Sequence, residues 1–170
     1  NEQLLALSDE LFAVARLLDG QLSLRRALSD PAGKPEERAA LADRLFGSRL
    51  TPAAVDLVRT VARQRWSRPL DLVEALSALG TEAALDAADA AGQLDGVEDE
   101  LFRFGRIVGS DRELNRILSD RTAPAEGRAA LLDRLVSGKV SDVTAQLLRN
   151  VLTGPHVGSA EHAVERLSDV

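Results

Sequence analysis

Shifted by ninety positions, the chain matches itself without a gap for about fifty residues. Asp9-Glu-Leu-Phe12 returns as Asp99-Glu-Leu-Phe102, and Leu28-Ser-Asp30 as Leu118-Ser-Asp120. Arg38-Ala-Ala-Leu41 with Asp43-Arg-Leu45 returns as Arg128-Ala-Ala-Leu131 with Asp133-Arg-Leu135. Roughly two positions in five are identical, and most of the others exchange one apolar residue for another. A single register of that quality is a tandem duplication. The unit exceeds the roughly 34 to 47 residues of short solenoid repeats, so each copy must close a small core of its own. A duplicated unit without catalytic residue types makes surface for partners rather than chemistry.

At 170 residues the chain divides into residues 1–80 and 81–170. Its apolar content rests on Ala, Leu and Val. The aromatics are Phe12, Phe46, Phe102, Phe104 and Trp66, with no Tyr. Good helix formers without β-branched runs predict an all-α chain of two tandem small helical bundles. With no Cys, disulfides and thiolate chemistry are excluded, which suits an intracellular protein. The net charge is −6 and the basic residues form no stripe, which speaks against nucleic acid. No apolar run approaches the ~20 residues of a membrane span. There is no Met, and the chain starts at Asn1, so it reads as part of something longer.

Leu4, Leu7, Leu11, Val14 and Leu18 form one helical stripe. A short helix over 22–29 stops at Asp30-Pro31. Pro35 with Glu36 and Glu37 opens the next, and Thr51-Pro52 reads as a cap followed by a first helical residue. Pro69 starts a helix carrying Leu72, Val73, Leu76 and Leu79. The second copy repeats the order: Val97 to Val108, Leu114 to Leu118, Pro124 to Leu135, Ser141 as cap to Leu152, and a last helix over about 159–167. Between the copies, 81–91 predicts a separate small-residue helix ending near Gly92. It has no counterpart ahead of the first copy, so the first bundle is expected to lack its opening helix.

No residue set advertises catalysis. His156 and His162 are six apart, and metal ligation needs convergent ligands, so both read as surface or loop residues. Asp95, Glu98, Asp99 and Glu100 read as acids opposing a helix dipole, not as a cation loop. Gly105 and Gly109 follow no strand and cradle no phosphate. Without a nucleophile elbow or a Cys, the chain is expected to be no enzyme and to hold neither cofactor nor metal. Two features suit binding. Trp66 among Arg63, Arg65 and Arg68 is either an interface hot spot or a plug on the first bundle. The small residues of 81–91 either admit a partner helix closely or pack within their own bundle.

The order of these segments resembles the helical N-terminal domain of the ATP synthase δ subunit family, also called the oligomycin-sensitivity-conferring protein. In that domain an Ala-rich helix precedes a Leu-Asp-x-Val-x-x-Glu-Leu entry. Here Leu85 and Ala88 precede Leu94-Asp-Gly-Val97 and Glu100-Leu-Phe102, followed by 114–120, 124–135 and 143–152 in the family's order. The actinobacterial members resemble it particularly, with an extra helical copy, a run like Val97–Arg106, and a stretch like Arg65-Trp66-Ser67. The family's C-terminal β-containing domain has no counterpart up to Val170.

The resemblance implies a non-catalytic stator subunit. It would hold N-terminal helices of ATP synthase α subunits, join the catalytic head to a b-type stalk subunit, and lie peripherally at the cytoplasmic face of the plasma membrane without inserting. It also implies a groove for an α-subunit helix between the first and fifth helices, mapping onto Leu85 and Ala88, and onto Leu147 and Val151. The competing reading is a soluble helical adaptor for amphipathic peptides, which would co-purify with unrelated clients.

Overall fold

A computed structural model describes residues 2–120, 122–154 and 160–167 of the chain. His156 lies outside the described residues, and His162 is placed by its backbone alone. Among the described residues there are ten α-helices and no strand. They are α1 (Glu2–Asp19), α2 (Leu22–Ser29), α3 (Pro35–Phe46), α4 (Pro52–Arg63) and α5 (Pro69–Ala90), then α6 (Leu94–Ser110), α7 (Arg112–Ser119), α8 (Ala125–Val136), α9 (Asp142–Thr153) and α10 (Ala160–Leu167). The bounds of α2, α3 and α4 recur ninety residues later, to the residue, in α7, α8 and α9. The chain is all-α.

Two compact units result: residues 6–80, and residues 81–170 with 1–5. In the first, Leu11, Leu18, Leu28, Phe46, Val58, Leu72 and Leu76 form the core. In the second, the buried stripe of α6 is Val97, Leu101, Phe104 and Val108, and Leu118, Leu132, Leu148 and Leu152 are fully buried. Leu5 of α1 belongs to the second unit, where Gln146 Nε2 donates to its carbonyl at 3.0 Å.

The duplication extends to polar contacts that local propensity does not specify. Glu10 accepts from the Thr51 amide at 3.1 Å and from its hydroxyl at 2.7 Å. Ninety residues on, Glu100 accepts from the Ser141 amide at 2.7 Å and its hydroxyl at 3.0 Å. Arg38 and Arg128 are both buried, donating to the carbonyls of Ala62 at 2.7 Å and Leu152 at 3.1 Å at the ends of α4 and α9. A cation there meets the negative end of a helix dipole and its unpaired carbonyls. Arg59–Asp43 and Arg149–Asp133 tie the same helix pairs on the surface.

Three local expectations are corrected. The helix expected from Pro69 and the separate one over 81–91 are a single 22-residue helix, α5. No proline interrupts it, and the ~1 kcal/mol that Gly80 costs a helix is small beside burial of Leu76 on one side and Ala84 on the other. The helix stops at Gly92, at φ 71°, where Gln93 N–H donates to the Ala88 carbonyl at 2.7 Å and Gly92 N–H to that of Asp89 at 3.0 Å. Thr51 makes no side-chain cap on α4, its hydroxyl donating to Glu10, whereas Ser141, whose hydroxyl likewise donates to Glu100, also accepts from Thr144 N–H at 3.4 Å. The acids at 95–100 lie inside α6 rather than ahead of it. Glu100 serves the start of α9 instead, accepting from Thr144 Oγ1 at 2.8 Å as well.

Candidate docking surfaces

The groove expected at Leu85, Ala88, Leu147 and Val151 needs apolar surface that the unit leaves open. Ala88 and Leu147 are both 0% exposed, so neither can be touched by a partner without repacking. The reason is periodicity. On α9, Val143, Leu147, Leu148 and Leu152 form the stripe the unit itself buries, and the outward positions are Asp142 and Arg149, flanked by half-buried Ala145 and Gln146. On α5, Ala83, Ala84, Ala87 and Ala88 are buried while Glu82, Asp86 and Asp89 face out. The small side chains bring α5 close to its own bundle. Leu85 and Val151 are half-buried and keep some apolar surface.

Trp66 is half-buried at the end of α4. Its indole N–H donates to the Val61 carbonyl at 2.8 Å, and the ring packs on the first core. Of its flanking cations, Arg63 pairs with Glu36 at 3.3 Å and Arg68 with Asp71 at 2.7 Å. The hydrogen bond and charge of that pair hold the Asp71 carboxyl below the usual carboxylate range and push the Arg68 guanidinium up. Such exposed pairs contribute little to stability. Arg65 is exposed.

A surface that sequence reasoning passed over lies between α6 and α10. A groove of about 580 Å³ runs there, with Phe102, Arg106 and Ser110 on one wall and Glu161 and Glu165 on the other. Gly105 and Gly109 let α10 approach α6 closely. A Cβ built at Gly105 would lie 3.5 Å from Val164, and one at Gly109 would lie 2.5 Å from the Glu161 carboxylate. Phe102 is 59% exposed, with the Arg106 guanidinium 5.9 Å from its ring centre. The signal was present in the sequence: Phe102 falls off the Val97, Leu101, Phe104, Val108 stripe.

Among the described residues no three His, Asp or Glu side chains gather to hold a metal ion, and no helix is long and apolar enough to cross a membrane.

Residues 81–169 match the family described as ATP synthase delta (OSCP) subunit. The ATP synthase subunit delta of Streptomyces avermitilis is 49% identical over 162 residues, covering 95% of this chain and 59% of that protein. Those of Streptomyces griseus and Acidothermus cellulolyticus are 46% and 45% identical, each over 95% of this chain and 60% and 59% of their own length. The chain thus spans about three fifths of the curated relatives it matches.

Proposed function

The chain belongs to the ATP synthase delta (OSCP) subunit family, and we propose from this that it serves as a non-catalytic peripheral-stalk part of an F-type ATP synthase. In this reading it binds N-terminal helices of α subunits and a b-type stalk subunit, and it resists rotor torque from the cytoplasmic face of the plasma membrane as a peripheral part of the complex. The observation that carries it is kinship at 45–49% identity across nearly the whole chain. An all-α build among the described residues is in keeping with such a part.

The division into residues 1–80 and 81–170 belongs to the same reading, with each copy a docking module. Helix bounds that repeat at one register support it. Partner contact in the second module falls to the half-buried Leu85 and Val151, with Ala88 and Leu147 shaping the helices from beneath. The exposed half of Trp66 is a further contact in the first module.

The test is binding of an α-subunit N-terminal peptide to the purified chain by calorimetry. Leu85→Glu places a charge where a docking helix would desolvate it, so affinity should fall at least about fivefold, the equivalent of about 1 kcal/mol, with melting nearly unchanged. Wild-type affinity in that variant removes Leu85 from the contact. Absence of any α or stalk subunit from affinity-purified full-length protein ends the stator reading itself.

A further inference from the structure

The opening turn of α1 belongs to the second unit. Residues 2–5 group with 81–170, although α1 runs on without a break to Asp19. The contact has a definite chemistry: Gln146 Nε2, on α9, donates to the Leu5 carbonyl at 3.0 Å, across 141 positions of sequence. Leu4 and Leu5 are half-buried, between exposed Gln3 and Ala6. On α9, Val143 and Asn150 lie on the same edge as Gln146, three residues before it and four after, and both are buried.

The identity of the donor carries the argument. A carbonyl such as that of Leu5 can only accept, so its partner must present an N–H or O–H. The ninety-residue counterpart of Gln146 is Asp56, which when ionised only accepts, and which pairs with Arg59 on its own helix. In the second copy the position carries an amide able to donate, and that amide is the group that meets α1. We propose that residues 2–5 are an internal strap of the second unit, closing the Gln146 edge of α9 from within the chain. A docking helix then meets α9 only away from that edge. The occupant of the edge is already in place in the structure, so the strap stands whether or not the chain serves a stator.

Gln146→Glu in the full-length protein tests this, because the change keeps the shape and turns the donor into an acceptor facing a carbonyl. The readout is hydrogen exchange at the amides of residues 6–9, which bond within α1 to the carbonyls of residues 2–5. At pH 7 they should exchange at least about fivefold faster than in the wild type, with α3 and α4 unchanged. Near pH 4 the carboxyl regains a proton and can donate, so the difference should narrow to within about twofold. Gln146→Leu, which cannot donate at either pH, should stay loosened at both. Wild-type exchange at residues 6–9 in both variants overturns the strap, as does loosening shared equally by α3 and α4. An effect of Gln146→Glu that is the same at both pH values overturns the hydrogen bond as its basis. A photocrosslinker at position 146 gives a second readout that needs no loss of stability. Its expected product joins 146 to the tryptic peptide 1–16 of the same chain, and a product that joins it to another subunit, or none to that peptide, refutes the proposal.

Discussion

Ala88→Glu separates a residue of the core from a residue of a docking face. Ala88 is 0% exposed, and its carbonyl already closes the end of α5 through Gln93 N–H. A glutamate there cannot reach water without opening the helix, so it stays neutral. At pH 7, about 2.7 units above the ordinary glutamate value near 4.3, neutrality costs about 3.7 kcal/mol at 1.36 kcal/mol per unit. The added atoms crowd the core for about 1–3 kcal/mol more. The total is about 5–7 kcal/mol at pH 7, comparable with the whole stability of many domains. At pH 5 the neutrality part shrinks to about 1 kcal/mol. The sign follows from proton counts: between the ordinary value and the raised folded one, the folded state holds a proton that the unfolded state has released, so stability falls as pH rises. Urea unfolding followed by circular dichroism, with the wild type as reference at each pH, should show the penalty growing by about 2.7 kcal/mol from pH 5 to pH 7. A penalty below about 1 kcal/mol and independent of pH would mean that α5 leaves Ala88 open to solvent, and the burial argument would fail.

Gly80→Ala should destabilise the first unit by about 1–2 kcal/mol despite the better helix former, because its methyl meets the Phe12 ring at 2.8 Å. In a Phe12→Ala background the same change should stabilise by up to about 1 kcal/mol, and a double-mutant cycle without coupling would refute the contact. Glu100→Ala should cost about 1–2 kcal/mol, more than Glu10→Ala, because Glu100 also holds Thr144 and its bonds are less exposed; equal penalties in urea unfolding would count against this. The Thr122 hydroxyl and amide hold the Asp120 carboxyl below the usual carboxylate range. Its contribution is therefore present above the ordinary range and is lost as pH falls through the folded value. Thr122→Val should move the titration seen by NMR back upward.

Much of the fold could be read from residue order because helices announce themselves locally. Pro35, Pro52 and Pro69 each mark a first helical residue, and Gly92 marks an end, since φ preference acts within one turn. The ninety-residue register made each bundle a check on the other. The join at Gly80 was not legible. A lone glycine between two helical patterns reads as a break unless the ring it must clear, Phe12, is known, and that ring lies 68 positions away along the chain.

The sequence by itself determined the all-α class, the duplication and the absence of thiol chemistry, because each follows from residue type and spacing alone. Only tertiary structure decided which apolar residues remain for a partner. Periodicity finds apolar stripes without saying which stripe a bundle buries in itself. Leu147 and Ala88 sit on buried stripes, while Leu85 and Val151, on the same two helices, keep part of their surface. Exposure depends on which helix crosses a residue, and a crossing is set by contacts distant in sequence, which no local pattern records.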